Sequence, residues 1–279
     1  MSALTLGYSP CPNDTFVFYA LVHGLIPGAP SVRELLEDIE TLNQRALAGE
    51  LDVTKVSFHA FAHLRDQYCL LRTGGALGRG CGPLVVARDP FGPGELAACR
   101  VAIPGRLTTA ALLLRLFLGR ESPEPVVLPF REIMPAVARG EVDAGVIIHE
   151  SRFTYPRHGL HRVLDLGTWW EETTGHPIPL GGILARRSLG PEIVASLDHV
   201  LRLSVEYAQA HPSEVQGYIR CHAGEDDDEV IRAHIALYVN DYTLEYGRDG
   251  TTAIEDLLNR AEGDGIVPAA RAPLFIAEV

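Results

Sequence analysis

The chain has 279 residues, enough at ~150 residues per domain for one large or two modest domains with an ample core. Its 47% hydrophobic and 22% charged content excludes disordered and fibrous classes. A net charge of −12, from 24 basic and 36 acidic side chains, argues against nucleic acid as a partner and leaves any anionic ligand to be attracted by local groups.

Apolar runs alternate with helical patterns along the whole chain, the mark of α/β architecture. A strand is predicted at Leu4 to Tyr8, followed by the turn-rich SPCPND, whose Asn13 or Asp14 is placed to cap a helix through Phe16, Tyr19, Ala20 and Val22. A helix through Ile39, Leu42, Ala46 and Leu47 ends at Gly49, a strand runs from Leu51 to Ser57, and a helix covers Phe58 to Leu64. After the glycine-rich TGGALGRGCG, the segment GPLVVARDP reads as a crossing strand. A second α/β unit has strands at Val101 to Ile103, Val126 to Leu128 and Val142 to Ile148, with helices from Thr109 to Leu118 and Ile133 to Ala138. PIPLGGILARRSL is again extended, and long helical patterns run from Pro191 to Ala210 and from Asp228 to Leu244.

A short repeat, Ala48-Gly49-Glu50-Leu51-Asp52-Val53 and Arg139-Gly140-Glu141-Val142-Asp143-Ala144, follows a helix and opens a strand in both halves. It implies two lobes of similar plan. With crossings near Leu84 to Ala87 and Gly181 to Ala185, residues 1–87 and 181–279 are expected to form one discontinuous lobe and 88–180 an inserted second.

The opening MSALTLGYSP lacks a basic stretch followed by a long apolar run, and no segment approaches the ~18 uninterrupted apolar residues of a membrane span. The expectation is a cytosolic protein with no membrane partner. Cys11, Cys69, Cys81, Cys99 and Cys221 are odd in number and contain no CxxC pair, so reduced thiols are expected rather than a metal site or a disulfide framework.

In open α/β sheets ligands bind beyond the carboxyl ends of strands, where helix N-termini and free backbone N–H groups converge. That rule selects Tyr8 to Asp14, with Ser9 and Asn13; Lys55-Val56-Ser57; Gly105 to Thr109; and His149-Glu150. Thr108 and Thr109 open a helix and can hold an anionic oxygen or simply cap it. Ser57 has the same two readings, and Lys55 supplies local charge or points to solvent. His149 is the sharpest candidate, since an apolar strand delivers an imidazole to its end, where a neutral ring can take a proton; a structural histidine is the alternative. Asn43, Arg106 and Arg79 are further candidates for reaching the ligand.

Other motifs fail. His149-Glu150-Ser151-Arg152-Phe153 lacks the second histidine of HExxH, Gly78 to Pro83 ends GxGxxG in proline, and no GxSxG or P-loop lysine pattern occurs. No metal or nucleotide cofactor is expected. Nothing in the sequence activates Cys11 as a nucleophile. The acidic run Gly224 to Glu229 suits a solvated helix start better than a calcium loop. Trp169 to His176 reads as an aromatic loop, either a lid or hinge packing.

SPCPNDTFVFYAL, DVTKVSFHAF, GRLTTA and GVIIHE, in that order and spacing, resemble the 1,4-dihydroxy-6-naphthoate synthase family of the futalosine route to menaquinone, over the whole chain. The resemblance implies a two-lobed type II periplasmic-binding-protein-like fold, each lobe a mixed β-sheet flanked by helices with the ligand cleft between them. It further implies a cofactor-free lyase acting on cyclic dehypoxanthine futalosine, with His149 as proton acceptor and Lys55, Val56, Ser57, Thr108 and Thr109 binding substrate. The competing readings are a non-catalytic small-carboxylate binding protein and the related chorismate dehydratase.

Overall fold

The computed structural model describes residues 3–119 and 123–276. The chain opens with β1 (Leu4–Tyr8), α1 (Pro12–Val22), β2 (Val32–Leu36), α2 (Ile39–Leu47) and β3 (Val53–Ser57), whose strands pair in parallel in the order β2-β1-β3. α3 (Phe58–Leu64), β4 (Tyr68–Leu70) and β5 (Ala76–Gly78) follow. The second sheet is entered by β6 (Leu84–Ala87) and built from β7 (Val101–Ile103), α4 (Thr109–Leu118), β8 (Val126–Val127), α5 (Phe130–Arg139) and β9 (Ala144–Ile147), with parallel order β8-β7-β9. After α6 (Ser151–Thr154), β10 (His161–Asp165) and α7 (Leu166–Thr174), β11 (Ile178–Arg186) returns to the first sheet, antiparallel to β3, β4 and β5. The remaining helices are α8 (Pro191–Ala210), α9 (Pro212–His222), α10 (Asp228–Tyr238), α11 (Asp241–Leu244) and α12 (Gly247–Gly263). Among the described residues no helix is long and apolar enough to cross a membrane.

The two halves are built alike in atomic detail at the repeated sequence. Gly49 and Gly140 both take left-handed φ, +67° and +72°. The bonds Gly49 N–H to Ala46 O and Glu50 N–H to Arg45 O are matched by Gly140 N–H to Val137 O and Glu141 N–H to Ala136 O. Two residues on, Asp52 accepts from the backbone N–H of Thr5 at 2.8 Å, and Asp143 does the same from Arg100 at 2.7 Å. Each aspartate thereby ties the incoming third strand to the start of the first. The repeat marks the same structural joint twice.

Strand pairing sets the sheet change earlier than the sequence expectation did. β6 pairs with β9 and β10 in the second sheet, although residues up to 87 are assigned above to the first lobe; the sheets change over residues 79–83. An apolar strand bounded by proline and glycine fits either sheet by pattern, and only its partners decide. The helix expected from Asp228 to Leu244 is broken by Asn240, whose side chain caps α11. Expected caps also move: Cys11, not Asn13 or Asp14, is the N-cap position of α1, and it makes no side-chain capping bond.

The connection between the sheets is tight. A Cβ built on Gly82 would lie 2.3 Å from the Cα of Gly167, at the start of α7, so two backbones meet where no side chain fits. Gly82→Ala is expected to lower stability by ~1–3 kcal/mol through overpacking, read as a drop in thermal midpoint.

Candidate functional site

The carboxyl ends of β1, β3, β7 and β9 face one another across the gap between the two sheets. The cleft there, counted to its open mouth and including the solvent space at the mouth, holds about 620 Å³. Ser9, Asn13, Lys55, Ser57, Thr108, Thr109 and His149 all line it. Val56 does not, because successive strand side chains alternate and Lys55 and Ser57 occupy the cleft-facing positions; its side chain is fully buried in the core.

At the floor lies a buried ion pair. Lys55 Nζ is 2.8 Å from Asp14 Oδ1, and both side chains are at most 5% exposed. The same Asp14 oxygen accepts from Asn13 Nδ2 at 2.9 Å, and the other accepts from Ser9 Oγ at 2.7 Å. Asn13 and Asp14 thus serve this network rather than capping α1. The lysine's charge is neutralised where it stands, so the cleft presents no free cation at this point.

Asn43 is fully buried behind Ser57. Its Oδ1 accepts from the Ser57 backbone N–H at 3.0 Å, and its Nδ2 lies 3.4 Å from Ser57 Oγ and 3.3 Å from Leu107 O. Ser57 sits at the N-cap of α3 without capping it; the Phe58 N–H donates instead to Thr109 Oγ1 at 3.0 Å. The Thr109 hydroxyl in turn donates to Leu180 O at 2.5 Å. Thr108 is a true cap, accepting from the Ala111 N–H at 3.2 Å. With Ala111 and Leu112 N–H engaged by Thr108, the first amides of α4 remain for a ligand oxygen.

These bonds stitch the second sheet's loops to the first sheet's. Glu40 accepts from the Leu107 N–H at 3.2 Å, and burial raises its carboxyl above the usual range. His59 Nδ1 lies 3.2 Å from Thr108 O, and burial lowers this imidazole to about 4.

His149 stands at the end of β9 with φ +53°, the one non-glycine at positive φ among the described residues, a conformation that persists where surrounding contacts over-determine it. Its Nδ1 is 3.4 Å from Cys11 Sγ, the Phe130 ring meets it edge-on at 5.3 Å, and the His234 ring stacks on it at 6.2 Å. Burial lowers its pKa, opposed by the neighbouring carboxylates of Glu150 and Asp14, which favours the neutral ring. Burial also pushes the Cys11 thiol up, against its acting as a thiolate nucleophile. His149 Nε2 makes no hydrogen bond among the described residues, which leaves it for a ligand.

Several candidates fall elsewhere. Arg106 pairs with Glu124 on the surface, and Arg79 donates to Gly175 O at 2.9 Å, so neither lines the cleft. Trp169 to Thr174 form the end of α7 rather than a loop, with Trp170 buried and its Nε1 donating to Pro177 O at 3.1 Å. Asp227 of the acidic run caps α10 through the Glu229 N–H at 2.9 Å. Tyr238, Cys81 and Ile39 line the cleft without having been selected by sequence. Tyr238 and His234 share α10 at i and i+4, one helix face, but the loop rule does not look at helix bodies.

The family described as Menaquinone biosynthesis matches residues 4–263. The chain belongs to this family. Within it, the chain is 54% identical over 276 residues to the 1,4-dihydroxy-6-naphthoate synthase of Thermus thermophilus, covering 99% of this chain and all of that one. It is 51% identical to the enzyme of the same name from Streptomyces coelicolor, covering 96% and 97% of the two chains. A solved Archaeoglobus fulgidus protein superposes with TM-score 0.90 at 39% identity, over 95% of this chain and 98% of that one. A Candida albicans protein with the generic periplasmic binding protein fold superposes with TM-score 0.70 at 12% identity, over 97% and 92%. The menaquinone-biosynthesis chain therefore has that two-lobed α/β fold, with two mixed sheets.

Two stability predictions follow from the site of this naphthoate synthase relative. Asp14→Ala strands a buried ammonium and is expected to lose ~3–5 kcal/mol in denaturant unfolding. The unfolded chain binds a proton at His59 near the ordinary value of ~6.5, whereas the folded chain resists it down to about 4. Stability is thus expected to fall as pH drops below ~6.5, by ~2 kcal/mol at pH ~5 from His59 alone; His59→Gln should flatten that slope.

Proposed function

We propose that this chain is a carbon–carbon lyase that converts cyclic dehypoxanthine futalosine into 1,4-dihydroxy-6-naphthoate and a ribose-derived fragment in the cytosol, with His149 as the proton acceptor. The observation that carries this reading is a half-buried imidazole at a strand end, its pKa lowered, in contact with Cys11 at Nδ1 and with Nε2 open, inside a cleft edged by hydrogen-bond donors.

In the tautomer that carries its hydrogen on Nδ1, toward the Cys11 sulfur, the lone pair on Nε2 takes a proton from the bound substrate. The electrons released break a carbon–carbon bond as the second ring becomes aromatic. The Ser57 hydroxyl and the first amides of α4, at Thr109 and Ala110, are suited to the oxygen on which negative charge develops. Lys55, Ser9, Asn13 and Thr108 shape the wall around it, Val56 contributes backbone alone, and Asn43 acts by aiming Ser57. The bonds between Glu40, Asn43, Phe58 and the 107–109 turn hold the lobes shut during this step, exclude water and fix the reacting geometry.

The test is incubation of purified protein with cyclic dehypoxanthine futalosine, followed by mass spectrometry for 1,4-dihydroxy-6-naphthoate. Product is expected from the parent. His149→Asn should lower turnover by ~10²–10⁴-fold with substrate affinity retained, and Ser57→Ala should weaken binding by about tenfold. Near-parental turnover in His149→Asn overturns the base assignment; binding without turnover by the parent favours a pure binding protein, and turnover of chorismate instead favours the dehydratase.

A further inference from the structure

His234 is a fully buried histidine that the proton transfer above does not use. It sits on α10, which packs on α1 and β5 of the first sheet, whereas His149 extends from β9 of the second. Their rings nevertheless stack at 6.2 Å with 13° between planes.

The protonation of His234 follows from its partners. Asn13 Nδ2 lies 2.9 Å from Asp14 Oδ1, and a carboxylate only accepts, so that atom is the amide nitrogen. The Asn13 atom 3.0 Å from His234 Nε2 is therefore the amide oxygen, an acceptor, and His234 Nε2 must carry the hydrogen. His234 Nδ1 is buried with no hydrogen-bond partner. A bare nitrogen there is tolerable, but a protonated one would bury an unpaired N–H and a charge. The Lys55–Asp14 pair, acting through Asn13, thus selects one uncharged tautomer of His234.

We propose that His234 is a positioning residue for His149: anchored by Asn13, its neutral ring packs on the base across the gap between the lobes and, with Phe130 and Cys11, fixes the direction of the His149 imidazole. This rests on the reading of His149 as proton acceptor. Because the two rings belong to different sheets, the stack ties the orientation of the base to the arrangement of the two lobes. Burial and the neighbouring imidazole both hold His234 well below the ordinary histidine value, in keeping with the tautomer argument. The groups facing His149 are Cys11, Glu150, Asp14, Asp38, Lys55 and His234; those facing His234 are Asn13, His149 and Tyr238.

The first experiment is a long-range proton–nitrogen spectrum of histidine-labelled protein, assigned with His149→Asn and His234→Ala. His234 is expected as the Nε2–H form, unchanged between about pH 5 and 8, and His149 with a titration midpoint below the ordinary value. In His234→Ala, water reaches the base, and its midpoint should rise toward ~6.5; His234→Phe restores a flat uncharged ring and should restore the midpoint. With substrate, His234→Ala should lower kcat by ~10–100-fold with KM little changed, and should move the acidic limb of kcat upward in step with the midpoint.

A His234 that titrates in that window, or is found as the Nδ1–H form, overturns the proposal, and the parent spectrum decides this even where His234→Ala does not fold. An unmoved His149 midpoint in His234→Ala, or parental kcat, also overturns it. The spectra need no substrate, so failure of the lyase reading appears as absent product with the ring coupling intact, while failure of this inference appears as an active enzyme without the coupling.

Discussion

The site depends on an ion pair that sees almost no water. Lys55 and Asp14 are each nearly fully buried, and taking two charges out of solvent is repaid only when geometry and additional hydrogen bonds satisfy them. Here the remaining lone pairs of Asp14 are taken by Asn13 and Ser9. One carboxylate therefore holds the end of β3, the loop after β1 and the first turn of α1 in one arrangement. From that arrangement come the sulfur that meets His149 and the amide that meets His234.

With Lys55 neutralised by Asp14 in a chain of net charge −12, the positive potential at the cleft comes from partial charges, which the helix N-terminus at Thr108 to Ala110 supplies. The pKa of His149 is lowered chiefly by burial, with Lys55 adding to the fall and the carboxylates of Glu150 and Asp14 opposing it.

The two sheets share a plan, down to the left-handed glycine and the aspartate that ties strand to strand, yet their loops do different work. The first contributes the ion pair and Ser57; the second contributes the helix N-terminus and His149. The polar seam from Glu40 and Asn43 to Leu107 is short and largely backbone-directed.

What the sequence determined by itself was what depends on local chemistry. Strand ends, glycine stops and hydroxyl caps are properties of a few neighbouring residues, so the α/β class, the repeat at Gly49 and Gly140, and the cleft loops bearing Ser9, Lys55, Ser57, Thr108, Thr109 and His149 were all readable from it. Asn43 was readable only as a polar residue on a helix. Tertiary structure alone decided the rest, because it turns on partners far apart in the chain. The pattern of Leu84 to Ala87 suits either sheet until β9 and β10 pair with it. Arg106 and Arg79 look available until Glu124 and the Gly175 carbonyl engage them. His234 is unremarkable on its helix; only the packing of α10 on α1 brings it, across some 220 residues, to Asn13, where a buried charge pair and the geometry of one amide dictate which nitrogen holds its proton.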